Sequence, residues 1–139
     1  MKAPAPFFGP PHRDGKYWCG PSVLCWLLGA EYRQAVAWIA EAEGRPFRAG
    51  TRTSTLLRVM RERGVRGIPQ TWQETHLPRR VGLRRFAAAN PSGDYWVRVG
   101  GHFLVLRDGR VYDNRVAGLP VPLRNRWIVT NAVNLVRQA

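Results

Sequence analysis

The sequence predicts an α+β protein, and three features indicate this class. Apolar residues recur at helical spacing through the first half of the chain, up to Gly64. Aromatic and β-branched residues dominate the short runs that follow Asn90. The 139 residues, 45% of them hydrophobic, suit one domain with a substantial core. Helices followed by an antiparallel sheet are therefore expected.

The N-terminal segment differs in composition from the rest. Residues 1–16 contain four prolines and no apolar run of the kind found in signal peptides. We expect them to form an extended arm, and residues 17–139 to form a single domain. No stretch of 18 consecutive apolar residues occurs, so no membrane-spanning helix is expected. The expected location is a cytoplasm-like compartment, or a particle packaged from one.

Three helices are predicted before Gly64. The first covers residues 20–28, because the Gly20-Pro21 pair readily opens a helix and a glycine follows its end. The second covers residues 31–43, with apolar residues at helical spacing and Gly44 after it. The third covers residues 54–63, with Thr53 or Ser54 as its N-cap.

The second half of the chain predicts mainly strands. Residues 65–72 indicate a short strand or an extended connection, and residues 77–89 a fourth helix followed by a turn. Further strands are expected over 94–100, 102–107, 110–114 and 126–136. The pair Asp108-Gly109 is a strong signal for a two-residue hairpin turn.

The chain is strongly basic, with a net charge of +13. Eleven arginines lie between Arg45 and Arg85, against only two acidic residues. Such a region is an expected contact for nucleic acid or another polyanion. A nearly lysine-free basic set is also what a GC-rich genome encodes on a solvated surface, and no helix-turn-helix, zinc-finger or aromatic RNA-binding pattern accompanies it. Polyanion binding is therefore an alternative function.

The two cysteines have different surroundings. Cys19 precedes Gly-Pro at the start of the first predicted helix, where the helix dipole favours the reactive thiolate. Cys25, between Leu24 and Trp26, is expected to be a small core residue. Six helical residues separate the cysteines by about 9 Å along the axis, so a disulfide is not expected. The three histidines lie far apart and show no metal-ligand spacing.

A nucleophilic cysteine needs a base and a group that orients the base. His102 begins a predicted strand, and the two-residue turn at Asp108-Gly109 would place Leu104 opposite Asp113. His102 and Asp113 would then be diagonal neighbours on one face of the sheet. A turn longer or shorter by one residue would bring Asn114 to that face instead. Asp113 is preferred and Asn114 is the alternate.

The order of these features resembles the papain-like cysteine peptidase fold. A cysteine opens a helix, a histidine lies on a strand, and Asp or Asn ends the next strand. The likeness is closer to the small bacteriocin-leader (double-glycine) peptidases and their compact relatives, including phage-encoded ones. It lies in three segments, and these are CGPSVLCWLLG, RAGTRTSTLLRVMRERGV and GDYWVRVGGHFLVLRDGRVYDN.

The resemblance implies a function. Cys19 would be the nucleophile, His102 the general base, and Asp113, or alternatively Asn114, the group that orients His102. The backbone N–H of Cys19 would form half of an oxyanion hole. The reaction would be acyl transfer from a peptide or protein substrate to the thiol, followed by hydrolysis, with no cofactor and no metal.

One departure from the family pattern supports a different function. Papain-like enzymes place a glutamine about six residues before the cysteine, whereas this chain reads PHRDGKYW there. His12, Lys16 or the distant Gln70 would have to supply the second oxyanion donor. The alternative is a weakly active or inactive papain-like fold that serves as a structural or interaction protein, for example a phage virion component. Its arm would then contact assembly partners.

Overall fold

The computed structural model describes residues 17–48, 50–69, 81–121 and 127–137 of the chain. The predicted arm, residues 1–16, lies outside them. The elements within these ranges are α1 (Cys19–Leu28), α2 (Tyr32–Glu43), α3 (Thr53–Glu62), β1 (Val65–Pro69), α4 (Leu83–Ala89), β2 (Asp94–Val99), β3 (His102–Arg107), β4 (Arg110–Tyr112), β5 (Ala117–Pro120) and β6 (Val129–Arg137). Among the helices described, none is both long and apolar enough to cross a membrane.

The described strands form one antiparallel sheet with the order β1-β6-β2-β3-β4-β5. The sheet is built mainly from the second half of the chain, and β1 joins it through β6. The predicted α+β class is confirmed. Because β3 lies in the interior of this sheet, its first residue has a fixed position relative to both neighbouring strands.

The sheet has a hydrophobic core on each face. Helices α1, α2 and α3 cover one face, where Trp96 and Val105 pack beneath them. Helix α4 covers the other face, where Val97 and Leu104 contribute to the second core. Adjacent strand residues thus enter different cores, as the alternation of side chains along a strand requires.

The hairpin of β3 and β4 has the predicted register. Asp108 and Gly109 have φ values of 50° and 77°, the left-handed values of a type I′ turn. Arg107 accordingly pairs with Arg110. The predicted strand over 110–114 ends earlier, at Tyr112, because the Asp113 carboxylate accepts the N–H groups of the following residues and bends the chain. The short strand β5 then pairs with β4, and the sequence did not predict it.

The fourth predicted helix is shorter than residues 77–89. Among the described residues it begins at Leu83, and residues 70–80 lie outside the description. Val81 and Gly82 are extended instead, because they pair with the segment before β6. Gly82 bridges Ile128, and the Val81 carbonyl accepts the N–H of Val129 at 2.8 Å. Tertiary pairing overrides the local apolar pattern here.

The predicted helix stops are confirmed at Gly29 and Gly44, which adopt left-handed φ values of 67° and 68°. The predicted cap of α3 is wrong. The helix already begins at Thr53, Arg52 occupies the N-cap position, and no described side chain caps the first turn. Thr53 is therefore inside the helix, where its hydroxyl cannot take the cap position.

Candidate active site

Cys19 is the first residue of α1, and contacts with α2 hold the segment before it. The Tyr32 hydroxyl accepts the backbone N–H of Trp18 at 2.7 Å, and the rings of Tyr17 and Tyr32 meet edge to face at 4.9 Å. The Trp18 carbonyl accepts the hydroxyl of Ser22 at 2.8 Å. The position of the Cys19 thiol therefore depends on the packing of α1 against α2.

Gly20 lets another segment pack closely against the first turn of α1. An ideal Cβ placed on Gly20 would lie 2.5 Å from Thr51 Oγ1 and 2.9 Å from Thr51 Cβ. Both distances are shorter than a normal contact between such atoms. A glycine is needed directly after Cys19 because the loop before α3 packs onto the first turn of α1.

His102 is the first residue of β3 and lies at the edge of the site. Its Nε2 is 2.8 Å from Asp113 Oδ2. Its ring packs against Trp127, with centroids 5.3 Å apart and planes tilted by 37°. The His102 side chain is 21% exposed and that of Asp113 is 1% exposed. The imidazole is thus held from two sides while remaining partly open to solvent.

Asp113 carries several hydrogen bonds on its buried carboxylate. Oδ2 faces His102, and Oδ1 accepts the N–H groups of Arg115 and Val116 at 2.7 and 2.8 Å. Burial alone would raise the pKa of Asp113, but the bond to His102 and the two backbone bonds outweigh burial and lower it. The structure therefore favours a carboxylate beside His102.

Asn114, the alternate to Asp113, bonds elsewhere. Its Nδ2 donates to the carbonyl of Tyr17 at 2.8 Å, and its Oδ1 is buried without a hydrogen-bond partner in the described part of the chain. The structure thus brings Cys19, His102 and Asp113 together. It joins Asn114 to the segment that precedes Cys19.

Cys19 and His102 shift each other's pKa. Burial alone would raise the pKa of the Cys19 thiol, but the hydrogen bond with His102 and one with the Phe103 backbone lower it below its ordinary value. Burial alone would lower the pKa of His102, but its bonds to Asp113 and Cys19 raise it to about 9. Because Nε2 faces Asp113, Nδ1 is the ring nitrogen left for Cys19. This arrangement favours a thiolate beside an imidazolium.

Cys25 has the opposite electrostatic character. It is 5% exposed within the core between α1 and the sheet, as predicted. Burial raises the pKa of its thiol to about 12. Both cysteines are free thiols. Of the two, Cys19 is the one whose surroundings favour the reactive thiolate.

Two tryptophans near the site were not assigned to it from the sequence. Trp127 packs on His102, and the Trp26 indole N–H donates to the carbonyl of Asp113 at 2.8 Å. Trp26 follows Cys25 on α1, so its bond joins the helix directly to the hairpin. Neither contact has a local sequence signal, because each links positions far apart in the chain.

The structure does not describe the residues predicted as second oxyanion donors. His12, Lys16 and Gln70, the residues considered for the second oxyanion donor, lie outside the described residues. Within the described ranges there is no group of three or more His, Cys, Asp or Glu side chains that could hold a metal ion.

Comparison with known proteins shows the fold. No family model and no curated protein sequence matches the chain. One similar solved structure is the crystal structure of a double glycine motif protease from an AMS/PCAT transporter in complex with the leader peptide. The similarity covers 94% of this chain and 91% of that one, with a TM-score of 0.55 and 13% sequence identity. The chain therefore has the predicted α+β fold of the papain-like peptidases.

Proposed function

We propose that this protein is a cysteine hydrolase of the peptidase type. The observation that carries the proposal is the 2.8 Å contact between His102 Nε2 and Asp113 Oδ2, together with a Cys19 thiol close enough for His102 to lower its pKa. A nucleophile, a base and an orienting carboxylate in contact are the arrangement that thiol acyl transfer requires.

In the first step the Cys19 thiolate attacks the carbonyl carbon of an amide. The C–N bond then breaks, and the His102 imidazolium gives its proton to the departing amine. Asp113 keeps Nε2 of His102 engaged, so that Nδ1 faces the sulfur and the leaving group. The product of this step is a thioester on Cys19 and a free amine.

In the second step water hydrolyses the thioester. Neutral His102 takes a proton from the water, whose oxygen attacks the carbonyl carbon. The C–S bond breaks, the acid product leaves, and the Cys19 thiolate is restored beside the imidazolium. The backbone N–H of Cys19 would stabilise the oxyanion in both steps, since it lies at the start of α1.

A peptide is the proposed substrate class. The similar solved protease was crystallised with a leader peptide, and the shared fold supports a substrate of the same class here. The His102 side chain is 21% exposed, so the proposed base is open to solvent.

Two experiments on separate samples test the proposal. The first is covalent labelling with a peptidyl vinyl sulfone, and the second is hydrolysis of a pooled peptide library by unlabelled protein. Both reactions are followed by mass spectrometry. We expect one adduct on Cys19 and hydrolysis that is lost in Cys19→Ala and retained in Cys25→Ala. Hydrolysis that persists in Cys19→Ala would overturn the proposal. So would a wild-type protein that is neither labelled nor active, a result that favours the structural alternative.

A further inference from the structure

The loop between α2 and α3 forms an arginine-lined cleft. The cleft consists of two adjoining cavities of about 360 Å³ each, which share Glu43, Arg45 and Arg52 in their walls. Arg48 completes one wall and Arg58 the other. Four arginines thus face a cleft that contains one acidic residue.

Two of these arginines have an acidic side chain within ion-pair distance. Arg45 Nε lies 3.8 Å from Glu43 Oε1, and Arg58 Nε lies 2.9 Å from Glu62 Oε1. In the part of the chain that the structure describes, Arg48 and Arg52 have no acidic side chain within ion-pair distance. The cleft therefore presents two uncompensated guanidinium groups.

The acidic residue of the cleft belongs to its framework. Glu43 is 8% exposed, and its Oε2 accepts the hydroxyl of Thr55 at 3.0 Å, which ties the end of α2 to the first turn of α3. No described side chain caps that turn, so the positive end of the α3 dipole adds to the charge of the arginines. The cleft is preformed and electropositive.

One wall of the cleft contacts the helix turn that begins with the candidate nucleophile. Thr51 lines one cavity and also packs directly on Gly20, the residue after Cys19. The loop that carries Arg48 and Arg52 therefore packs against the first turn of α1, which begins with Cys19.

We propose that this cleft binds acidic side chains of the peptide substrate, so that the hydrolase prefers peptides with Asp or Glu near the cleaved bond. The inference rests on the proposed function, because it assigns the substrate class of the same site. Arg48 and Arg52 would each donate charge-assisted hydrogen bonds to a carboxylate, a geometry for which guanidinium groups are well suited.

The cleft fits an acidic peptide better than a nucleic acid. The lining residues that the structure describes include no aromatic side chain on which a base could stack. A cavity of this size accepts one or two carboxylate side chains, whereas a duplex needs an extended basic surface. The contact between Thr51 and Gly20 also joins one wall of the cleft to the helix turn that begins with Cys19.

The test measures binding in a Cys19→Ala background, which removes turnover. The probe is a labelled short peptide with a run of glutamates, compared with the same peptide carrying glutamines and with a labelled single-stranded oligonucleotide. The variant Arg48→Gln/Arg52→Gln is matched with Arg84→Gln/Arg85→Gln, which removes the same charge from exposed positions on α4, across the sheet.

We expect the Arg48→Gln/Arg52→Gln variant to bind the glutamate peptide about 10-fold more weakly, which corresponds to about 1.4 kcal/mol. The α4 variant should change the affinity less than about twofold. Equal losses in both variants, or equal affinity for the glutamine peptide, would overturn the proposal. Tighter binding of the oligonucleotide with the same arginine dependence would assign the cleft to nucleic acid.

The outcomes separate this inference from the proposed function. Hydrolysis of peptides with no preference for acidic residues would overturn the cleft proposal and leave the hydrolase intact. Binding of the glutamate peptide through Arg48 and Arg52, with no hydrolysis by the wild-type chain, would overturn the hydrolase and leave the cleft as a peptide-binding site.

Discussion

Asp113 Oδ2 lies 2.8 Å from His102 Nε2, across a hairpin that separates the two residues by only eleven positions. The carboxylate is almost fully buried and also accepts two backbone N–H groups. The Asp113 carboxylate that orients the His102 ring is therefore itself fixed by burial and by backbone hydrogen bonds. Cys19, which comes from a helix more than eighty residues earlier in the chain, lies close enough for His102 to lower the pKa of its thiol.

The two thiols should differ in their rates of alkylation. Cys19 has a lowered pKa and Cys25 a pKa raised to about 12, so iodoacetamide at pH 6 to 7 should modify Cys19 first. Replacing His102 by Ala removes the bond that lowers the pKa of Cys19 and should slow its alkylation at least about 10-fold. Peptide mass spectrometry over a time course measures both rates. Equal and slow labelling of the two cysteines would contradict the thiolate assignment.

The activity should depend on pH in a way that Asp113 controls. The reactive pair needs a thiolate and an imidazolium, so the rate should fall as the pH rises through the His102 pKa of about 9 and should also fall in acid as the thiolate is protonated. Asp113→Asn removes the charge that raises the pKa of His102. The alkaline limb should therefore move to lower pH, and kcat/KM should drop at least about 10-fold.

A pH–rate profile of kcat/KM measures this shift. Asn114→Ala is the matched comparison, because Asn114 bonds the Tyr17 carbonyl and does not hold the imidazole. Its profile should keep the alkaline limb of the wild-type protein. An unshifted limb in Asp113→Asn would show that another group sets the pKa of His102.

Gly20→Ala should destabilise the protein. The new Cβ would lie 2.5 Å from Thr51 Oγ1, and relief of such overpacking costs about 1–3 kcal/mol of unfolding free energy. Thr51→Gly should restore most of the loss, because it removes the opposing atoms. Gly50→Ala is the control, since a Cβ there meets nothing within 4 Å. Urea denaturation measures the wild-type protein, the three single variants and the double variant Gly20→Ala/Thr51→Gly, and additive effects of Gly20→Ala and Thr51→Gly would disprove the contact.

Tyr32→Phe should affect both stability and the site. The Tyr32 hydroxyl accepts the N–H of Trp18, just before Cys19, and an unpaired N–H at this half-buried position costs about 1–2 kcal/mol. The alkylation rate of Cys19 should also fall in Tyr32→Phe, because the backbone directly before Cys19 loses this hydrogen bond. Tyr95→Phe removes a comparable bond, to Asn90 Oδ1 on the far side of the sheet, and should lower stability without slowing alkylation. Urea denaturation and the alkylation rate of Cys19 are measured for both variants, Tyr32→Phe and Tyr95→Phe.

Much of the fold could be predicted from the sequence, because its determinants are local. The helix ends at Gly29 and Gly44 follow from the left-handed conformation that glycine adopts freely. The turn at Asp108-Gly109 sets the register of β3 and β4, and the register places His102 and Asp113 on one face. The proximity of these two side chains was therefore predictable.

The predictions that differ from the structure depend on partners that are distant in the chain. Residues 81 and 82 lie within the predicted fourth helix, but their backbone groups pair with the segment before β6. The strand over 110–114 ends early because Asp113 bonds its own neighbours. Strand β5 forms by pairing with β4. The local sequence of residues 117–120 does not indicate this pairing.

The sequence by itself determined the α+β class, the position of Cys19 at a helix start and the side of the hairpin that carries His102 and Asp113. Only the tertiary structure decided that the helix start meets the hairpin, that Asn114 bonds Tyr17, and that Arg48 and Arg52 line a cleft beside Gly20. The physical reason is the distance along the chain over which each kind of interaction acts. Periodicity and turn chemistry act over a few residues, whereas these contacts arise from the packing of α1 and the α2–α3 loop on the sheet.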